Sequence, residues 1–223
     1  MITASIYLID SIIVGFFAYK CYSIGYGKGL KNSFANYLFL SSTFISIAFL
    51  KSGIMCAIAT SMNNSEILFW SDFTGRALFY LAAVFSVQIP LYKFYPNDKR
   101  RFLFSIVAIV VGLALLAYQL FFRNHPIIEP SGMINWDADI ILLAGMTYLI
   151  ILPWVVTTYI FTKEYFASKL RSPKSLLLGL GFFCITVGGT LQDASSTILS
   201  FIIFGIVSAI GYLMVLAGLF YET

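Results

Sequence analysis

The feature that most constrains this chain is a succession of seven apolar runs, at about 2–22, 35–60, 68–94, 101–122, 138–162, 175–192 and 196–220. A helix rises about 1.5 Å per residue, so a bilayer's hydrocarbon core takes roughly 20 mostly apolar residues to cross. Each run is near that length. The breaks between them carry turn and charge signals such as GYGKGLKNS, SMNNSE, YPNDKRR and KEYFASKLRSPKS. Only 11% of the 223 residues are charged, and 60% are hydrophobic. A soluble domain carries about a quarter charged residues. This chain lacks the polar side chains to cover a water-facing surface. The expected fold is an all-α integral membrane protein, a seven-transmembrane-helix bundle forming a single domain over 1–223. Its expected location is the cell membrane, plasma or inner, as a multi-pass protein.

The basic residues set an expected direction. Eleven of the fourteen lysines and arginines fall in the first, third and fifth loops. Lys20, Lys28 and Lys31 lie at the first, Lys93, Lys99, Arg100 and Arg101 at the third, and Lys163, Lys169, Arg171 and Lys174 at the fifth. The opposite loops hold Arg123 alone. Cytoplasmic loops are enriched in such residues, so the N-terminus is expected outside and the C-terminus in the cytoplasm. Trp70 and Trp136 sit at outer helix ends, where interfacial aromatics belong. Because the basic residues cluster at helix ends on one side, the net charge of +4 does not point to a nucleic-acid partner. The bilayer is the expected surrounding. Loops 93–101 and 163–174 are the expected contacts for a membrane or cytoplasmic protein, or for anionic lipid.

Charges within spans are expensive and mark candidate sites. Asp10 lies about 12 Å from the outer end of the first helix, and Lys51 about 16 Å from that of the second. Their similar depth on adjacent antiparallel helices predicts an ion pair. Asp72 and Arg76 are four residues apart on the third helix, hence on one face, with Tyr80 one turn further. Gln192 and Asp193 sit near the outer end of the sixth helix. These seven residues are the candidates for ligand binding or for buried ion pairs. They are expected either to tie helices in register or to line a polar cavity open to the outside. Pro90 and Pro153 fall inside spans and predict kinks, because proline lacks the N–H that would close a helical bond. Gly188 and Gly189 permit close helix packing or leave room for a ligand. Cys21, Cys56 and Cys184 show no metal or disulfide spacing and read as small buried apolar residues.

Several chemistries are not expected. His125 is the only histidine and lies in a loop, which excludes bis-histidine haem ligation in the bundle and disfavours a zinc hydrolase. No G-x-S-x-G, P-loop or G-x-G-x-x-G fingerprint is present. Asp137 and Asp139 form a close carboxylate pair with no basic catalytic partner nearby. No metal, cofactor or catalytic activity is expected. The layout is similar to that of microbial rhodopsins and other seven-helix receptors, and to the seven-helix input modules of prokaryotic signalling proteins. The resemblance to retinal proteins implies a lysine in the seventh helix. Span 196–220 contains none, and Phe79 stands three residues after Arg76 where a carboxylate would be implied, so covalent retinal is disfavoured. The expected function is a receptor-like or sensory protein signalling through a partner. The alternatives are a transporter or channel for a small solute or ion, and a non-catalytic subunit of a larger membrane complex.

Overall fold

A computed structural model describes residues 2–27, 34–95, 99–124, 126–129, 133–136, 139–168, 172–193, 195 and 197–221, with the side chains of Lys93, Phe94, Arg100 and Asp193 excepted. The helices are α1 (Ile2–Gly27), α2 (Phe34–Met62), α3 (Ser65–Ser86), α4 (Gln88–Phe94), α5 (Arg100–Phe121), α6 (Ile140–Met146), α7 (Leu152–Ala167), α8 (Pro173–Asp193) and α9 (Ile198–Phe220). A π-helical segment, Thr147–Ile151, joins α6 to α7. Counting α3 with α4, and α6 with the π segment and α7, this is an all-α bundle with seven helices long and apolar enough to cross a membrane. Residues 96–98 and 169–171 of the basic loops, the side chain of Asp193, and Asp137 and His125 lie outside the described residues.

Local chemistry explains where the helices begin and break. Asn63 turns the chain with a φ of 48°, a left-handed conformation that asparagine tolerates. Asn64 then caps α3, its side-chain oxygen accepting from the N–H groups of Glu66 and Ile67. The third span breaks at Val87. Pro90 has no N–H for the Ser86 carbonyl, so the ladder cannot run on through this point. Cross-helix bonds hold the break: Ser86 shares a 2.6 Å hydroxyl contact with Ser41 of α2. Gln88 donates to the Arg101 carbonyl and to Ser105 of α5. In the fifth span Pro153 leaves the Leu149 carbonyl without its helical donor, and the widened π turn lies immediately before it. Asp139 caps α6 by accepting from the Ile141 N–H.

Six spans close into a ring. α1 packs on α2, α2 on α3, the π segment on α3, α7 on α4 and α8, α8 on α9, and α9 back on α1. α5 stands outside this ring against α3 and α6. The exterior is apolar: Ile12, Phe16, Phe102, Leu113, Leu199 and Ile206 are exposed, while Asp10, Ser41, Ser42, Arg76 and Gln119 are buried. This inversion suits a hydrocarbon solvent, in which only the polar groups gain from facing inward.

Between α5 and α6 a two-stranded hairpin covers one end of the ring. Its strands β1 (Ile127–Ile128) and β2 (Ile134–Asn135) pair antiparallel. Met133 and Ile134 are buried against Ala4, Leu68 and Phe201. The Ile134 N–H donates to Thr3 Oγ1 at 3.2 Å, and Trp136 Nε1 donates to the Tyr7 hydroxyl at 3.1 Å. We call this the hairpin end and the opposite one the basic end.

Candidate functional site

Two polar centres lie in the half of the bundle nearer the hairpin, and they differ in kind. The first surrounds Asp72. Arg76 Nε donates to both of its carboxylate oxygens, at 2.9 and 3.0 Å. Gln119 Nε2 of α5 and Asn124 Nδ2 each donate to its Oδ2 at 2.8 Å. Asn124 also donates to the Trp136 carbonyl, and Arg76 Nη1 points at the Met146 sulfur of α6. The carboxylate is saturated, and the guanidinium beside it is buried. The centre ties α3, α5, α6 and the hairpin together. Tyr80 lies one turn further along α3, buried where Gly112 of α5 lets its ring approach.

The second centre is a cavity of about 130 Å³ inside the ring, lined from α1, α2, α3, the fifth span, α8 and α9. Asp10 and Gln192 form its polar wall, with Gln192 Nε2 donating to Asp10 Oδ2 at 2.8 Å. Gly205 makes this possible, since a Cβ there would sit 3.2 Å from the Gln192 amide nitrogen. Gly189 also lines the cavity, and a Cβ added to it would meet no atom within 4 Å. Thr186, Thr190 and Ser208 add hydroxyls. The rest is apolar and aromatic, with Ile13, Phe49, Phe79, Ile150, Ile185 and Trp154 prominent. The indole N–H of Trp154 is buried and has no hydrogen-bond partner among the described residues.

The cavity is bounded unevenly. One helical turn towards the hairpin, Tyr7 packs against Phe49, Trp136 and Phe201, so an aromatic layer stands where the sequence led us to expect an opening. Towards the basic end, Phe17 meets Tyr212 at 4.9 Å and Trp154 meets Phe182 at 5.2 Å between ring centroids. These rings join the main packed core with Leu178 and Val215. Sideways the packing is looser. α7 lies along α8, but α6 and the π segment have no comparable packing against α8. Met146, Ile150 and Ile151 face Gly189 and Thr190 across this gap. The cavity therefore approaches the bundle's apolar flank there.

The expected Asp10–Lys51 pair does not form. Asp10 turns to Gln192, while Lys51 Nζ is buried without a hydrogen-bond partner among the described residues. The reason is helix rotation. α2 meets α1 through Ser46 and Gly53, which approach Ser11, Gly15 and Leu8. Lys51 precedes Gly53 by two residues, hence about 200° around the helix. Ser52, between them, meets Gly75 of α3, and Lys51 lies on the side of α2 away from α1. The two side chains thus face different neighbours. An unpaired buried ammonium costs stability. Lys51→Met should therefore leave the bundle at least as stable, as read by thermal unfolding in nanodiscs; a loss beyond about 1 kcal/mol would mean a counter-charge reaches it.

Of the sequence candidates, Asp10 and Gln192 thus reach the cavity, Asp72, Arg76 and Tyr80 belong to the other centre, and Lys51 joins neither. Sequence reasoning missed Gln119 and Asn124, which read as ordinary boundary residues at a helix end. It also missed Trp154, which follows a proline in an apolar run. Gly188 and Gly189 prove to have opposite roles, packing and space. Cys21 and Cys56 are buried, and all three cysteines are free. Among the described residues no three His, Cys, Asp or Glu side chains gather as a metal site.

Fold and site together define a class: a multi-pass, seven-helix membrane protein with an internal cavity. Compared with family models, curated proteins and solved structures, the chain matches none. Its own geometry therefore carries the functional reading.

Proposed function

We propose that this is a receptor-like protein of the cell membrane that binds a small, largely apolar molecule in the cavity beside Asp10. The observation that carries this reading is a buried carboxylate bonded to one neutral amide, beside unfilled space at Gly189. Buried carboxylates are costly unless they are paired or serve a function. Concave, mostly apolar sites with a few placed polar groups are the usual form of small-molecule pockets. The asymmetry of basic loops favours an orientation with the hairpin end outside. Binding is favoured over passage by the packed aromatic core between the cavity and the basic end. Ile150 and Ile151 of the π segment line the cavity, so a ligand would bear directly on the irregular part of the fifth span. π turns often mark functional positions in helices. From there α7 leads to a basic loop, where a partner would read the change.

The test is ligand-dependent stabilisation. Purified protein in nanodiscs, screened by thermal unfolding against small amphiphiles, should show upward shifts with some of them. Gly189→Phe should fill the cavity without lowering the unliganded midpoint, and should abolish the shifts. Shifts that survive in Gly189→Phe, or their absence throughout the screen, would refute the reading.

A further inference from the structure

We propose that the ligand of this cavity is a lipophilic amine, bound as its ammonium form against Asp10; this rests on the cavity being a binding site. The argument begins with charge. Asp10 is nine-tenths buried and its one hydrogen bond among the described residues comes from a neutral amide. The two cations far from the span ends, Arg76 and Lys51, are elsewhere. Arg76 is committed to Asp72, and Lys51 lies on the far side of α2. The carboxylate thus has a place for a cation that the chain does not itself provide.

The neighbouring polar atoms point the same way. The Thr186 hydroxyl donates its proton to the Phe182 carbonyl, and that of Thr190 donates to the Thr186 carbonyl, both at 2.7 Å. Each hydroxyl has one proton, so these two offer the cavity acceptor lone pairs only. Gln192 spends one N–H on Asp10 and retains its carbonyl oxygen and a second N–H. Beside the carboxylate the wall therefore offers acceptors, while the Trp154 N–H, unpartnered among the described residues, and the Ser208 and Tyr212 hydroxyls are donors in the same lining. An ammonium, with several donors and no acceptor, is the complementary group. Aromatic faces from Phe49, Phe79 and Trp154 favour a cation carrying an apolar body. The gap beside the π segment would admit such a molecule from the hydrocarbon layer, where amines with apolar bodies concentrate. An inorganic cation would gain nothing from this mainly apolar lining.

The experiment compares isosteric pairs on the intact protein in nanodiscs by equilibrium dialysis, with empty nanodiscs subtracted. The probes are 2-phenylethylamine, n-hexylamine and cyclohexylmethylamine, each against the alcohol with hydroxyl in place of the amine. At least one amine should bind ten-fold or more tightly than its alcohol. In Asp10→Asn that preference should vanish while alcohol binding is retained. The wild-type comparison needs no variant, so a poorly folding mutant cannot obscure it. Alcohols that bind as well as their amines would overturn the proposal and leave the cavity reading standing. Retention of neither class would overturn both. Competition by millimolar sodium as strong as that by the amines would show an inorganic cation site and overturn the amine.

Discussion

Asp72→Ala is expected to lower the stability of the bundle by about 3–5 kcal/mol, the usual cost of removing one partner from a buried ion pair. The carboxylate accepts from three side chains, and its loss removes an acceptor from each of them. Arg76, only 5% exposed, would lose the carboxylate bonded to its guanidinium. Gln119, which is fully buried, and Asn124 would each lose a hydrogen-bond acceptor. The hairpin should loosen as well, because Asn124 links this centre to the Trp136 backbone. Thermal unfolding in nanodiscs reads the loss. The double variant Asp72→Leu/Arg76→Met should recover much of it, since removing a buried pair together leaves no stranded charge. A single variant as stable as the wild type would sink the account of this centre as a structural tie.

The second large effect separates two adjacent glycines. A Cβ at Gly188 would lie 2.6 Å from the Ser208 nitrogen and 2.8 Å from the Phe204 oxygen, both backbone atoms of α9. Neither can swing aside as a side chain would. Gly188→Ala must push α8 and α9 apart along their contact and should cost at the upper end of the ~1–3 kcal/mol typical of overpacking. Gly189→Ala adds the same methyl group to open space. It should leave stability unchanged or slightly raised, alanine being the better helix former by about 1 kcal/mol. Equal effects at the two positions would contradict the described α8–α9 packing. The pair also shows why position within one turn matters: one glycine brings two backbones together, and its neighbour keeps the cavity from filling.

How much of this was legible beforehand depends on the kind of relation. Asp72 and Arg76 are four apart on one helix, and helical geometry alone puts them on one face. The tie between them could be read directly. Its enlargement by Gln119 and Asn124 could not, because those residues come from another span and a loop. Asp10 and Lys51 show the limit. Depth along a helix can be counted in residues. Which way each points depends on how its helix is rotated. In water an amphipathic stripe records that rotation. In a helix that is apolar all round, Ile12 and Ile13 look alike in the sequence, although one is exposed and the other lines the cavity.

The sequence by itself therefore determined the number of spans, their approximate limits, the breaks near Pro90 and Pro153, and the asymmetry of basic charge. Those follow from run length, from the missing proline N–H and from composition, all local or additive properties. Tertiary structure alone decided that the fourth span stands outside the ring and that a hairpin covers one end. It decided too that Asp10 meets Gln192, 182 positions away, and not Lys51. These outcomes rest on helix rotation and on backbone approach at Gly53, Gly188 and Gly205, which set the shape of one surface against another. No count of residues along a single chain segment contains that information.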